Sequence, residues 1–310
     1  MSSDSSLDRR RFIAGGATSL AFLAGTLACR PNEVRNRKAF DVVKLGRSGL
    51  LASRQGVGLG DGTAESFQRM GQAGFTRFLR HALDQGARSF DLLPGPVHGM
   101  VASALQGIPR ESYTLVTNFR HPVETDPRKM IDSYLRELRT DYVDAILVGA
   151  ILAGNWVTET KWAERRDLLE AAKQAGKVRA HGVSVHGWEA LRSVAADPWV
   201  ELALVSCNHL GAWMDGPPGR VTTDLEKRDQ SVPVIQAIHR AGIGTAAMKV
   251  FSHSGYRDTP APAAERLAAI RYVMSTDAVD TMPILCESVR EFDEVTRLID
   301  RAGSELAAAR

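Results

Sequence analysis

The stretch FTRFLRHALDQGARSFDLL, residues Phe75–Leu93, decides the fold. Its first half places Phe75, Phe78, Leu79, Ala82 and Leu83 at the spacing that gathers side chains on one face of an α-helix. Gly86 follows, the residue type that most easily takes the positive φ on which helices end. Arg88–Leu92 then reads as a short, mostly apolar strand. The same ending recurs twice. Lys173-Gln174-Ala175-Gly176-Lys177 precedes the apolar run Val178–Val185, and His239-Arg240-Ala241-Gly242 precedes Gly244–Lys249. Helix stops of one kind, repeated in front of strands, indicate a regular βα array and a parallel sheet.

Outward from these three points the same alternation covers the chain. Strands are predicted over Gln55–Leu59, Arg88–Leu92, Tyr113–Asn118, Val143–Gly149, Val178–Val185, Leu202–Asn208, Gly244–Lys249 and Thr281–Leu285, with helical patterns between them. Ahead of the first, Asp41–Leu45 and Leu50–Arg54 flank the turn-rich Gly46-Arg47-Ser48-Gly49 and read as a β-hairpin. A doubly wound open sheet would place Gly-x-Gly-x-x-Gly after an early strand, whereas Gly56-Val57-Gly58-Leu59-Gly60 has another spacing. The expected fold is therefore α/β, a (β/α)8 TIM barrel with eight parallel strands.

The bulk composition agrees with one such domain. The chain has 310 residues, 44% hydrophobic and 24% charged, which is ordinary for a globular body with a sizeable core. A net charge of +3, with both signs interspersed, leaves no basic footprint for nucleic acid. Cys207 and Cys286 stand alone in the body, form no metal-ligand spacing, and are expected to be buried free thiols.

The N-terminus reads as an address. Asp8-Arg9-Arg10-Arg11-Phe12-Ile13 has the form of a twin-arginine export motif, and the apolar run Ile13–Ala28 is shorter than the roughly 20 residues a membrane span needs. Residues 1–28 are expected to be a signal peptide, 29–40 a linker and 41–310 the barrel. Thr26-Leu27-Ala28-Cys29 resembles a bacterial lipoprotein cleavage site with Cys29 as the lipid-bearing, membrane-attaching residue; simple cleavage after Ala28 is the alternative. The expected location is periplasmic, or membrane-anchored as a lipoprotein.

Several stretches are similar to one family, the aldo/keto reductases. Lys44-Leu45-Gly46-Arg47-Ser48-Gly49-Leu50 and Ser53-Arg54-Gln55-Gly56-Val57-Gly58-Leu59-Gly60 resemble its bottom-closing hairpin and first strand. Ala82–Gly86 before Phe90-Asp91, Gly176-Lys177-Val178-Arg179 before Gly182-Val183-Ser184, and Gly242-Ile243-Gly244 before Ala247-Met248-Lys249 continue the likeness, which spans about Val43 to Ile299. The resemblance implies NADPH-dependent carbonyl reduction. In the family a Tyr gives the proton, a Lys paired with an Asp acidifies that Tyr, and a His orients the substrate, all at the C-terminal ends of barrel strands.

Carried over position by position, Asp91 matches the family Asp. The Tyr is missing from Leu92-Leu93-Pro94-Gly95-Pro96-Val97-His98-Gly99, where His98 is the nearest replacement donor. Asn118 stands in place of the Lys and Gly149 in place of the His. On the cofactor side Ser184 is retained, while Val185 and Leu204 replace amide side chains. Asn208 and Lys249 at the mouth, and Ser288 and Arg290 in the last loop, complete the candidate NADP contacts; Glu287 in that loop would repel a phosphate.

Three readings follow for a small-molecule ligand at the mouth. One is an NADP(H)-dependent oxidoreductase with proton transfer rebuilt on His98, oriented by Asp91. A second is a non-catalytic barrel serving binding or assembly, suggested by the joint loss of Tyr, Lys and His. A third is a metal-dependent or acid/base hydrolase or lyase using His98, His121, His186, His209 and His253 with Asp61. The long connection Gly211–Arg228 is expected to be a lid or partner site.

Overall fold

The computed structural model describes residues 37–310, apart from 61–64, 120–126, 153, 158–159, 213, 215–222 and 253–260. The signal peptide, Cys29 and most of the linker lie outside the described residues, as do Asp61, His121 and His253.

Strands β1 (Val42–Lys44) and β2 (Leu51–Ser53) pair antiparallel as the expected hairpin. The main sheet holds β3 (Gln55–Leu59), β4 (Ser89–Leu92), β5 (Thr114–Phe119), β6 (Val143–Ile151), β7 (Val178–Val185), β8 (Leu202–Ser206), β9 (Gly244–Met248) and β10 (Met282–Ile284). They are parallel and paired in chain order, with β10 beside β3, and a parallel bridge from Ala246 to Thr281 brings the two ends together. Between and after them run α1 (Glu65–Gln85), α2 (Pro96–Ala104), α3 (Pro127–Leu138), α4 (Thr160–Gln174), α5 (Trp188–Val194), α6 (Leu225–Arg240), α7 (Ala263–Ser275) and α8 (Val289–Ala308). This is a (β/α)8 barrel. The helix stops behave as read, with φ of 112° at Gly86, 73° at Gly176 and 78° at Gly242.

The barrel packs in two layers. Alternate strand residues point out to meet the helices, where Phe75, Phe78 and Leu79 of α1 are buried. The others point in: Val116, Ala145, Leu147, Ala180, Leu202, Leu204 and Ala246 form a separate inner cluster with Leu45, Leu50 and Ala52 of the hairpin. The hairpin thus plugs the bottom. Arg47 N donates to Gly242 O at 2.6 Å, and a Cβ at Gly46 would lie 2.3 Å from Gly244 N, so only glycine lets the turn seat there.

β4, β5 and β10 differ from their expected limits by a single residue at one or both ends, and three strands end differently at the mouth. β6 continues past Gly149 to Ile151 through an irregularity in its pairing with β7, at which Ala150 adopts a φ of 57°. β8 stops at Ser206, short of Asn208, whose side chain bonds Ala212 in the following loop, and β9 stops at Met248 because Lys249 turns to a φ of 59° and leaves the strand. Among the described residues no helix is long and apolar enough to cross a membrane.

Candidate active site

Where the parallel strands end, their carbonyl edges and the following loops leave a cavity of about 810 Å³. That is the end at which sites of this architecture form, and the volume lies in the range that holds a cofactor or drug-sized ligand.

Asp91 from β4, Asn118 from β5 and Gly149 from β6 line this cavity. Asn118 hydrogen-bonds the Asp91 carboxyl, and its Nδ2 lies 3.3 Å from Leu92 O. Asp91 Oδ1 and Asn118 Oδ1 are shut from solvent and have no partner. Burial pushes the Asp91 carboxyl up to about 7, and the Asn118 hydrogen bond only partly opposes it.

Further along, Ser184 and His186 follow from β7, and Lys249 from the end of β9. Lys249 Nζ is 3.0 Å from His186 Nδ1, and His186 Nε2 is 3.3 Å from Ser184 Oγ. Burial, helped by the Lys249 charge, lowers the His186 pKa to about 3, and burial lowers Lys249 to about 8. A neutral His186 therefore accepts the ammonium proton's hydrogen bond on Nδ1, which assigns its own proton to Nε2, facing Ser184.

The segment entering α8 and the first turns of that helix also line the cavity, with Glu287, Ser288, Arg290, Glu291 and Glu294, joined by Arg266 of α7. Ser288 caps the helix by accepting from Glu291 N at 3.1 Å, and the Glu291 carboxylate accepts from Glu287 N at 2.8 Å. Arg266 is ion-paired with Glu294, while its Nε is buried without a partner.

Comparison with known proteins matches residues 57–265 to the model of the aldo/keto reductase family. The chain belongs to the aldo/keto reductase family. Among solved structures, a protein from Pseudomonas aeruginosa assigned as an aldo-keto reductase superposes with a TM-score of 0.65 at 19% identity, covering 86% of this chain and 97% of that one. The holo form of an aldo-keto reductase from Bacillus halodurans gives a TM-score of 0.64 at 17% identity, over 87% and 97%. No curated protein sequence matches the chain. At these identities the structural likeness carries the fold and no more.

In this aldo/keto reductase the family's positions can now be placed. Asn118, where the family has Lys, touches Asp91 and brings no charge. Gly149, where the family has His, has no room for a side chain as it stands, since a Cβ would lie 2.9 Å from Phe119 O. Asp91, Asn118, Ser184, Lys249, Ser288 and Arg290 all line the one cavity.

His98 and Asn208 are not among its lining residues. Pro96 begins α2, so His98 falls in a first helical turn and not in an open loop. Its ring is fully buried, with Nδ1 2.9 Å from Glu137 and Nε2 3.1 Å from Thr117 Oγ1, and it packs edge-on to Tyr134. It ties α2 to α3 and β5, and the expected role as proton donor beside Asp91 is not what its placement supports. Asn208 is likewise buried, bonding both Ala212 N and Ala212 O and accepting from Ser252 Oγ, so it staples the loop after β8.

Of the other mouth groups, His209 is half-buried with a lowered pKa from burial. Among the described residues no group of three or more His, Cys, Asp or Glu side chains is arranged to hold a metal ion. Cys207 and Cys286 are buried free thiols, as expected. Within Gly211–Arg228, Ala212 bridges Thr223, and residues 213 and 215–222 lie outside the described residues.

The Lys249–His186–Ser184 string escaped sequence reasoning except as scattered mouth residues. Lys249 and His186 are 63 positions apart, and their meeting depends on the positive φ at Lys249, which no residue type at that position announces.

Proposed function

We propose that this aldo/keto reductase binds a nicotinamide dinucleotide in the strand-end cavity and interconverts a carbonyl and an alcohol, with Asp91 as the group that gives and takes the proton. The observation that carries the reading is Asp91 itself, a buried carboxyl titrating at about 7, on the cavity wall, with an uncharged Asn118 as its partner. A carboxyl paired with a lysine stays ionised at neutral pH and can only support another donor. Without that cation, burial keeps the proton on, and the carboxyl becomes an acid matched to neutral pH.

The residues present fit the dinucleotide. Orphaned polar atoms belong to three of the lining residues, Asp91, Asn118 and Arg266. Arg266, Arg290 and Lys249 would hold its phosphates, and the Ser184 hydroxyl its carboxamide. When bound, the cofactor supplies a hydride to the carbonyl carbon. Asp91 passes its proton to the carbonyl oxygen, is left as a carboxylate, and recovers a proton from water. NADP is the dinucleotide that the family resemblance implies. Export by the twin-arginine route, with Cys29 carrying a lipid, belongs to the same proposal and rests on residues 8–29 alone.

The sign of the pH dependence follows from the acid. Reduction needs Asp91 protonated, so kcat/KM for reduction falls as pH rises through about 7. Asn118→Lys would place a cation beside the carboxyl and lower its pKa by about 1–3 units. The falling limb of the profile should move to lower pH by that amount, with reduction at pH 7 reduced. A profile unchanged between wild type and Asn118→Lys would contradict the assignment of Asp91 as donor.

A further inference from the structure

We infer that Tyr134, on α3 outside the barrel wall, is a positioning residue for the acid, because its hydroxyl anchors the backbone of Asn118 and so aims the Asn118 amide at Asp91. The inference rests on the reading of Asp91 as proton donor and deepens it.

Asn118 lies beyond the stretch that β4 and β5 share. Those strands pair from Ser89↔Thr114 to Asp91↔Val116, and Thr117–Phe119 run on past that register, paired with β6. Asn118 reaches back to β4 through its side chain, with Nδ2 3.3 Å from Leu92 O and a hydrogen bond to the Asp91 carboxyl. One amide group serves two acceptors, so its aim depends on how the backbone beneath it is held.

That backbone is held from the helix side. The Tyr134 hydroxyl donates to Asn118 O at 3.2 Å. The residues on either side are engaged by the same cluster: Thr117 Oγ1 lies 3.1 Å from His98 Nε2, and the Phe119 ring centre lies 6.3 Å from that of Tyr134. His98 packs edge-on to Tyr134 with ring centres 5.0 Å apart, and its Nδ1 is 2.9 Å from Glu137, three residues further along α3. Burial lowers the His98 pKa against the pull of Glu137, so the ring is neutral, donating to Glu137 from Nδ1 and accepting from Thr117 on Nε2. Tyr134 is itself buried, and water is no ready substitute for its hydroxyl.

The consequence falls on the carboxylate left after proton transfer. Burial raises the Asp91 pKa and the Asn118 hydrogen bond opposes it; no charged group among the described residues contributes, although Lys249, Arg266, Arg290, Glu287, Glu291 and Glu294 line the same cavity. The register partners of Asp91 on β3 and β5, Gly58 and Val116, carry no charge. Slackening Asn118 weakens the contact that opposes burial, so the carboxyl should keep its proton to higher pH.

The test is a carbon NMR titration of the Asp91 carboxyl in the full chain, taken through a double-mutant cycle. Asn118→Ala should raise the Asp91 pKa by about 0.5–1 unit, the worth of one hydrogen bond. Tyr134→Phe, which keeps the buried ring, should raise it by about 0.3 unit or more. In the Asn118→Ala background the same change should move it by less than about 0.1 unit, since no amide is left to aim. The falling limb of kcat/KM for reduction should follow the Tyr134→Phe shift to higher pH, opposite in sign to Asn118→Lys. Should Tyr134→Phe fail to fold, Tyr134→Met, an adaptable side chain without a hydroxyl, is read in the same way. An Asp91 pKa unmoved by loss of the hydroxyl, or moved equally with and without Asn118, overturns the inference and leaves Asp91 as the donor. A wild-type carboxyl titrating near the ordinary 3.8 overturns both.

Discussion

Asp91→Asn should lower the rate of carbonyl reduction by about 10²–10⁴-fold, the usual worth of a positioned general acid. Its dinucleotide affinity should stay within about twofold, because the groups assigned to the phosphates, Arg266, Arg290 and Lys249, are left in place. Stability should move the other way. The folded protein holds the Asp91 proton up to about pH 7, whereas the ordinary value is 3.8. Between those values the native state binds more protons than the unfolded state, so stability falls as pH rises, and the penalty is complete above pH 7. Asparagine cannot ionise and escapes it. The gain at pH 8 has a ceiling of about 4 kcal/mol, reduced by whatever water reaches the carboxyl. Denaturant midpoints at pH 5 and pH 8 measure it; a variant that loses both turnover and stability at pH 8 would mark Asp91 as structural.

Asp144→Ala should be the most damaging change away from the cavity. Asp144, on β6, is fully buried, and its carboxylate accepts from Arg110 Nη2 at 2.6 Å, Arg179 Nη1 at 2.8 Å and Leu115 N at 2.8 Å. It therefore ties β5, β6 and β7 together, with the Arg110 guanidinium also lying 4.1 Å over the Tyr142 ring. Removing it leaves a largely buried arginine and a backbone amide unsatisfied, a loss of about 3–5 kcal/mol. The denaturant midpoint should fall with little change in slope. Turnover per folded molecule should be unchanged, because Asp144 does not line the cavity. Asp144→Asn, which keeps an acceptor, should recover part of the loss.

The barrel was legible because its punctuation is chemical. Gly86, Gly176 and Gly242 occupy positive φ in front of strands, and the core-facing residues of α1 recur at helical spacing. The irregularity inside β6 and the limit of β9 were not legible, because they go with positive φ at Ala150 and Lys249, residue types with no preference for it. In the site, motif correspondence located Asp91, Asn118, Gly149 and Ser184, since strand ends converge wherever a barrel closes. It could not say that Gly149 is walled off by Phe119 O, nor that the uncharged Asn118 would turn Asp91 into a neutral-pH acid. His98 was misplaced for a related reason. Position in sequence put it after β4, but the rotation of α2 turned its ring toward Glu137 and Thr117.

The Asp91 carboxyl can be followed without any substrate, by carbon NMR of protein labelled at aspartate side-chain carbonyls, with Asp91→Asn assigning the signal. An inflection near pH 7 is expected. A signal that titrates near 4, as an ordinary aspartate does, would contradict it.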